Sequence, residues 1–187
     1  MSPTFRLYLI SFLLIGCSHP SPPVDETTMA LAEEGDAKAQ MKVGLAFDKE
    51  GNYEEAALWY RMAAEQGVSE AQNNLGVMYK DGQGVEQDFK EAALWFLLAA
   101  QQDNTLAQLN LGWLYHASKG LRQNADSARY WYSKAAQKGH ATAHLNLGIL
   151  YLQQKDTITA IHCLQQAAQQ GNEGALRILQ RINRDDR

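Results

Sequence analysis

Glycine recurs through this chain at a fixed interval, each time inside an apolar stretch: Val43-Gly44, Leu75-Gly76, Leu111-Gly112 and Leu147-Gly148, at spacings of 32, 36 and 36 residues. Other positions keep step with it. Phe47, Tyr79, Tyr115 and Tyr151 each stand three residues after the glycine. The pairs Ala63-Ala64, Ala99-Ala100, Ala135-Ala136 and Ala167-Ala168 recur at 36, 36 and 32, and Trp59, Trp95 and Trp131 each fall four residues before an alanine pair. Periods of this length mark supersecondary units that cannot bury their apolar faces alone and therefore stack. The pattern commits the chain to a solenoid before any single helix is assigned.

Within one unit the period is helical twice over. In the second unit Ala71, Leu75 and Tyr79 form an i, i+4, i+8 stripe on helix A, and Ala92, Phe96 and Ala99 share a face of helix B. Gly76 inside helix A costs about 1 kcal/mol against alanine. The expected return is that Phe96 packs on bare backbone and the two helices approach closely, with Ala92 and Ala99 serving the same end. Gly67, Gly139 and Gly171 stand where a left-handed residue ends helix B.

These features resemble the tetratricopeptide superfamily, and specifically its Sel-one-like branch. In units one and four, Gly44 to Ala56 and Gly148 to Ala160 have the plain tetratricopeptide spacing of 12, with Tyr60 and Leu164 following. Units two and three carry four extra loop residues, the Sel-one-like form. Unit two shows that loop in full as Tyr79-Lys80-Asp81-Gly82-Gln83-Gly84-Val85-Glu86-Gln87-Asp88; unit three keeps Gly120-Leu121 and Asn124 but has Ser118 where Gly82 aligns. The resemblance implies an all-α, alpha-alpha superhelix of four helical hairpins, at residues 36–67, 68–103, 104–139 and 140–171. Residues 27–35, with Ala30-Leu31-Ala32-Glu33-Glu34-Gly35 mimicking the tail of a helix B, form an N-terminal half-repeat. Residues 172–187 form a C-terminal capping helix, with Ala175, Leu179 and Ile182 on the packed side and Arg177, Arg181 and Arg184 keeping the other side polar.

The N-terminus carries a different message. Arg6 precedes an apolar run from Leu7 to Ile15, too short to span about 30 Å of hydrocarbon but suited to a signal peptide. It ends in Leu14-Ile15-Gly16-Cys17, which resembles the bacterial lipobox, so residues 1–16 are expected to be removed and Cys17 acylated. Residues 17–26, beginning with Ser18-His19-Pro20-Ser21-Pro22-Pro23, read as a semi-extended tether. Several acyl chains on one residue give stable anchoring. Ser18 in place of aspartate implies, by enterobacterial sorting, the outer membrane facing the periplasm.

In this superfamily helix A lines the concave side. The corresponding positions are Lys38, Met41, Leu45 and Asp48 in unit one, and Glu70, Asn73, Val77 and Lys80 in unit two. Unit three gives Leu106, Leu109, Trp113 and His116; unit four gives Thr142, Leu145, Ile149 and Leu152. The surface thus runs from polar to apolar. Either Leu106, Leu109, Trp113, His116, Leu145, Ile149 and Leu152 make a groove for a helix or extended peptide, or a short superhelix closes and buries them. Asn74, Asn110 and Asn146, one place before each Leu-Gly pair, either donate to a bound peptide backbone or satisfy helix-end and loop carbonyls.

Little else points to chemistry, and catalytic residues, a metal and cofactors are all expected to be absent. The net charge of −4 becomes about −5 once Arg6 is removed, and no basic stripe of the size nucleic acid requires is evident. His140 and His144 are spaced i, i+4 with His116 one unit away, but His144 stands in the slot of Gln40, Gln72 and Gln108 and reads as a polar substitute. Cys163 stands in the tryptophan slot beside Leu164, a small buried hydrophobe with no base to activate it. Glu33-Glu34 and Glu54-Glu55 read as solvated helix ends. The function these features imply is a membrane-anchored scaffold or adaptor that binds a protein or peptide and supports an envelope assembly. The alternatives are a surface-exposed or secreted protein engaging host or competitor molecules, and a histidine-dependent metal binder.

Overall fold

The computed structural model describes residues 23–185, so the signal segment, Cys17 and the first part of the tether lie outside it. Ten helices follow one another, and among the described residues there is no strand. A single helix, α1 (Glu26–Glu33), precedes four hairpins: α2 (Ala37–Lys49) with α3 (Tyr53–Glu65), α4 (Ser69–Asp81) with α5 (Phe89–Gln101), α6 (Thr105–Ala117) with α7 (Ala125–Gln137), and α8 (Ala141–Gln153) with α9 (Thr157–Gln169). Helix α10 (Glu173–Asp185) follows them, and the described residues hold no helix B after it. Helices begin where side chains can take up their first free amides. Asp25, Asp36, Asp88, Asn104, Asn124 and Asp156 each accept from a backbone N–H two or three residues on. No helix among the described residues is long and apolar enough to cross a membrane.

Each helix packs mainly on its chain neighbours, and α6 also reaches α8. That extra approach between successive A helices marks their side as the inner side of the curve. The core is a series of clusters along the stack: the first runs from α1 to α4, and those after it join a helix B to the helix A that follows. Ala92, Ala93 and Phe96 of α5 bury against Ala107, Leu111 and Leu114 of α6, and Ala128, Tyr132 and Ala135 of α7 bury against Ala143, Leu147 and Leu150 of α8.

The repeated glycine is where one unit closes on itself. A Cβ on Gly44, Gly76, Gly112 or Gly148 would lie 2.6 to 2.7 Å from the nearest atom of Tyr60, Phe96, Tyr132 or Leu164 respectively. The side chain of helix B therefore rests on bare helix A backbone in all four units, as the spacing implies. The long loops add a second device. A Cβ on Gly84 would lie 2.0 Å from the Tyr53 carbonyl oxygen, and one on Gly120 would lie 2.4 Å from Phe89 Cβ. Each long loop thus lies directly on the start of the preceding helix B. Ser118 ends α6 at φ 56, the left-handed turn that Gly82 makes at φ 70. Asp103 and Lys155 do the same where Gly67 and Gly51 stand in other units, so unit three's loop keeps its shape at the cost of backbone strain.

A polar ladder ties unit to unit. Gln40, Gln72 and Gln108 each donate through Nε2 to the carbonyl of Ala32, Ala64 or Ala100 in the last turn of the preceding helix B, at 3.1, 3.1 and 3.3 Å. Gln66 and Gln102 donate in turn to the Gln40 and Gln72 Oε1 atoms. At the next step Lys138 replaces that glutamine and bonds the Asp103 backbone carbonyl instead, leaving the buried Gln108 Oε1 unpartnered.

His144 takes the fourth rung, against the Ala136 backbone, and its pKa is pushed down by burial and then by the charge of His162. Folding therefore favours the neutral ring. The associated stability is complete above the unfolded value near 6.5 and erodes as the pH falls below it. The wild type should lose more of its urea midpoint between about pH 7.5 and about pH 5.5 than a His144→Gln variant does; equal losses would count against this account.

Candidate binding surface

The residues expected to line the groove fall into two groups. Leu109 packs on the cluster that joins α7 to α8 of unit four, and Leu145 and Leu152 pack on the cluster of Leu164, Ala167 and Ala175 that joins α9 to α10. The apolar groove is therefore narrower than the sequence implies. These three leucines face the next unit, and stacking uses their surface. Ile149 is half-buried between them. Leu106 and Trp113, two turns apart on α6, remain 53% and 38% exposed. Leu45 on α2, at the position equivalent to Trp113, is exposed as well.

Trp113 is held in place from the neighbouring unit. The Lys80 ammonium lies 5.8 Å from its ring centroid, within range of a cation–π attraction. His116, one turn further along α6, meets the Tyr132 ring edge-on at 6.2 Å between centroids, and its Nε2 lies 2.9 Å from Gln153 Oε1 of unit four. It thus links two units on the same inner side.

The three asparagines are engaged within the fold. Asn74 lies beside the Tyr60 hydroxyl, which donates to Asp48 Oδ2 at 3.1 Å; burial and the Asp48 charge push that phenol well above its ordinary pKa. Asn146 takes the same place near Tyr132, whose buried hydroxyl makes no hydrogen bond of good geometry. In between, Phe96 offers no hydroxyl, and Asn110 donates instead to Asn73 Oδ1 of the preceding unit at 3.1 Å. The amide thus recurs beside the knob of helix B, and it turns to the neighbouring unit where that knob has no oxygen.

A family model of the Sel1 repeat matches residues 37–68, 69–104, 105–140 and 141–172, one unit after another. The chain belongs to the Sel1-repeat family. A protective antigen of uropathogenic Escherichia coli with an SLR fold superposes with a TM-score of 0.78 at 33% identity, over 83% of this chain and 35% of its own length. A Sel1 repeat protein from Oxalobacter formigenes gives 0.72 at 31%, over 79% of this chain and 64% of its own. This chain therefore spans less than two thirds of either relative. Helicobacter pylori cysteine rich protein B, at 22% identity and a TM-score of 0.53 over 63% of this chain and 90% of its own, shares the fold. No curated protein sequence matches the chain.

Folds of the Sel1 and tetratricopeptide kind generally serve protein–protein interaction. Cys163 is buried, with its thiol pushed up by desolvation and then by the charge of Asp156. Among the described residues no three His, Cys, Asp or Glu side chains gather as metal ligands would. His116 and His144 are already occupied by Gln153 and the Ala136 backbone. The inter-unit role of Leu109, Leu145 and Leu152 carries no mark in the sequence. Helix period places them beside Trp113 and Ile149, and only the stacking direction separates the two groups.

Proposed function

We propose that this Sel1-repeat chain is an adaptor, held in the cell envelope by acylated Cys17, that captures a protein or peptide segment on its inner face. The observation that supports this reading is the exposure of Leu106 and Trp113 on one side of α6, with Lys80 bracing the indole. Stacking uses Leu109, Leu145 and Leu152 of that side and leaves Leu106 and Trp113 open, with Leu45 exposed at the equivalent place in unit one. An exposed tryptophan with an exposed leucine two turns away is the composition of an interface anchor. The match to a protective antigen that is 33% identical favours a second reading, in which the chain faces outward from the cell surface and meets host or competitor molecules.

Trp113→Ala should weaken partner capture from solubilised envelopes by about tenfold or more, while the melting midpoint stays within a few degrees of wild type. A large loss of stability instead would place Trp113 in the core and end the groove reading. For the anchor, Cys17→Ala should move the protein from the membrane pellet to the soluble fraction. Retention in the pellet would refute lipid tethering. Accessibility to protease added to intact cells then separates the inward-facing adaptor from the outward-facing one.

A further inference from the structure

Helix B of unit three departs from its counterparts in units one and two over one patch. Ala57 and Ala93, both buried, become Arg129, and Leu58 and Leu94 become Tyr130. Arg61 and Leu97 become Ser133, and Met62 and Leu98 become Lys134. The change at Ser133 opens a hollow. Between α3 and α4 the Arg61 guanidinium lies over the Tyr79 ring, 5.6 Å from its centroid, and donates to its hydroxyl. Between α5 and α6, Leu97 and Tyr115 pack on the same core cluster. Between α7 and α8, Ser133 is too short to cover Tyr151 in either way, and a cavity of about 430 Å³ stands there. It is lined by Arg129, Tyr130, Ser133, Lys134 and Gln137 of α7 and by Tyr151 of α8, with Asp126 beside them.

Repeat packing does not call for these residues, since the two earlier junctions close without them. Their chemistry is one-sided. Arg129, Lys134, the Gln137 amide and the hydroxyls of Tyr130, Ser133 and Tyr151 can all donate hydrogen bonds. The one acid, Asp126, is 82% exposed and already accepts from Arg129 Nη2 at 2.6 Å. Lys134 and Trp131 brace Tyr130, the ammonium 5.8 Å from its ring centroid and the indole edge-on at 4.9 Å. A guanidinium fills this slot between α3 and α4, but two cations against one acid disfavour a cationic guest here. We infer that the hollow between α7 and α8 binds a small oxyanion of more than one charge, a polycarboxylate or a phosphate, held by Arg129 and Lys134. The guanidinium keeps further N–H donors for a two-bond fork, and the ammonium supplies the second charge. The Ser133 and Tyr151 hydroxyls meet the remaining oxygens. The cavity is within the usual size of a small-molecule site. The chain as a whole carries −4, so long-range attraction does not gather anions on it, and local donors must do so.

The test titrates isotope-labelled protein with citrate and, separately, with inorganic phosphate at fixed ionic strength, followed by amide resonances. Those of α7 and of Tyr151 should shift saturably with at least one of the two anions and not with chloride, and the tighter binder tells carboxylate from phosphate. Ser133→Leu restores the arrangement of Leu97, fills the hollow and leaves the charge unchanged. It should weaken binding at least about tenfold. Arg129→Ala combined with Lys134→Ala, checked for an unchanged helical spectrum, should weaken it as much. Trp113→Ala should leave the binding intact, which separates this site from the inner face. Binding that survives Ser133→Leu is attraction to surface charge alone and overturns the inference. So does binding that survives the loss of both cations, or the absence of a saturable shift with either anion.

Discussion

Alanine at Gly112 is expected to lower the free energy of unfolding by about 2 kcal/mol, and the same change in a Tyr132→Ala background to do no harm. The added methyl would sit 2.6 Å from Tyr132 Cδ1 and 2.7 Å from Cε1, well inside contact distance. The ring cannot swing aside, because it is fully buried, with Ala128 and Ala135 in its own cluster and the His116 ring against it. Either α6 and α7 separate or the ring leaves its rotamer, and overpacking of this kind costs about 1–3 kcal/mol. Against that, alanine is the better helix former by about 1 kcal/mol. Removing the ring leaves only the second effect, so the sign of the substitution reverses. Urea unfolding of the four proteins in the cycle measures it, and simple additivity of the two changes would show that the glycine and the ring do not touch in solution.

A larger loss, about 3 kcal/mol or more, is expected for Gly84→Ala, because two costs add there. The residue sits at φ 67, where a side chain costs about 1–2 kcal/mol. Its Cβ would also lie 2.0 Å from the Tyr53 carbonyl oxygen and 2.7 Å from the Glu54 nitrogen. These are backbone atoms in the first turn of α3, which cannot yield as a flexible side chain does. The loop must lift off the preceding unit. Gly82→Ala is the control. It has a similar φ of 70, but its Cβ would meet only Gln87, whose Cβ lies at 3.3 Å and whose backbone comes no closer than 3.7 Å. The difference between the two melting midpoints isolates the docking of the loop from the strain of the turn, and equal losses would mean that docking contributes nothing.

The glycines, alanine pairs and aromatic residues announce the hairpins because each is tied to a fixed neighbour one helix away, and the spacing alone carries that tie. The same logic made Gly76 and Phe96 readable as partners. It did not distinguish Leu145, which stacks on the cap, from Trp113, which faces solvent. Both lie on one side of helix A, and only the direction in which the next unit is added decides between them. The asparagines were equally ambiguous in the sequence, since they lie beside the Tyr60 and Tyr132 hydroxyls in two units and bond Asn73 in another. His144 could be placed from its slot alone, because three glutamines had already defined it. The strain at Ser118, Asp103 and Lys155 was legible in the same way, each standing where a glycine occupies the equivalent place in another unit.

The contacts of this molecule run almost entirely between chain neighbours, and that bears on how it comes apart. A terminal helix can detach while the middle stays whole, since nothing distant in the chain holds it down. The two interior units have loops latched onto the helix before them, whereas the first and last hairpins turn through the short links at 50–52 and 154–156 without such a latch. Amide protons in α4 to α7 should accordingly exchange through the rarest openings and those of α10 through the commonest. The two long loops thus decide which part of the array opens last, because Gly84 and Gly120 press each loop onto the helix before it and the short links have no such hold.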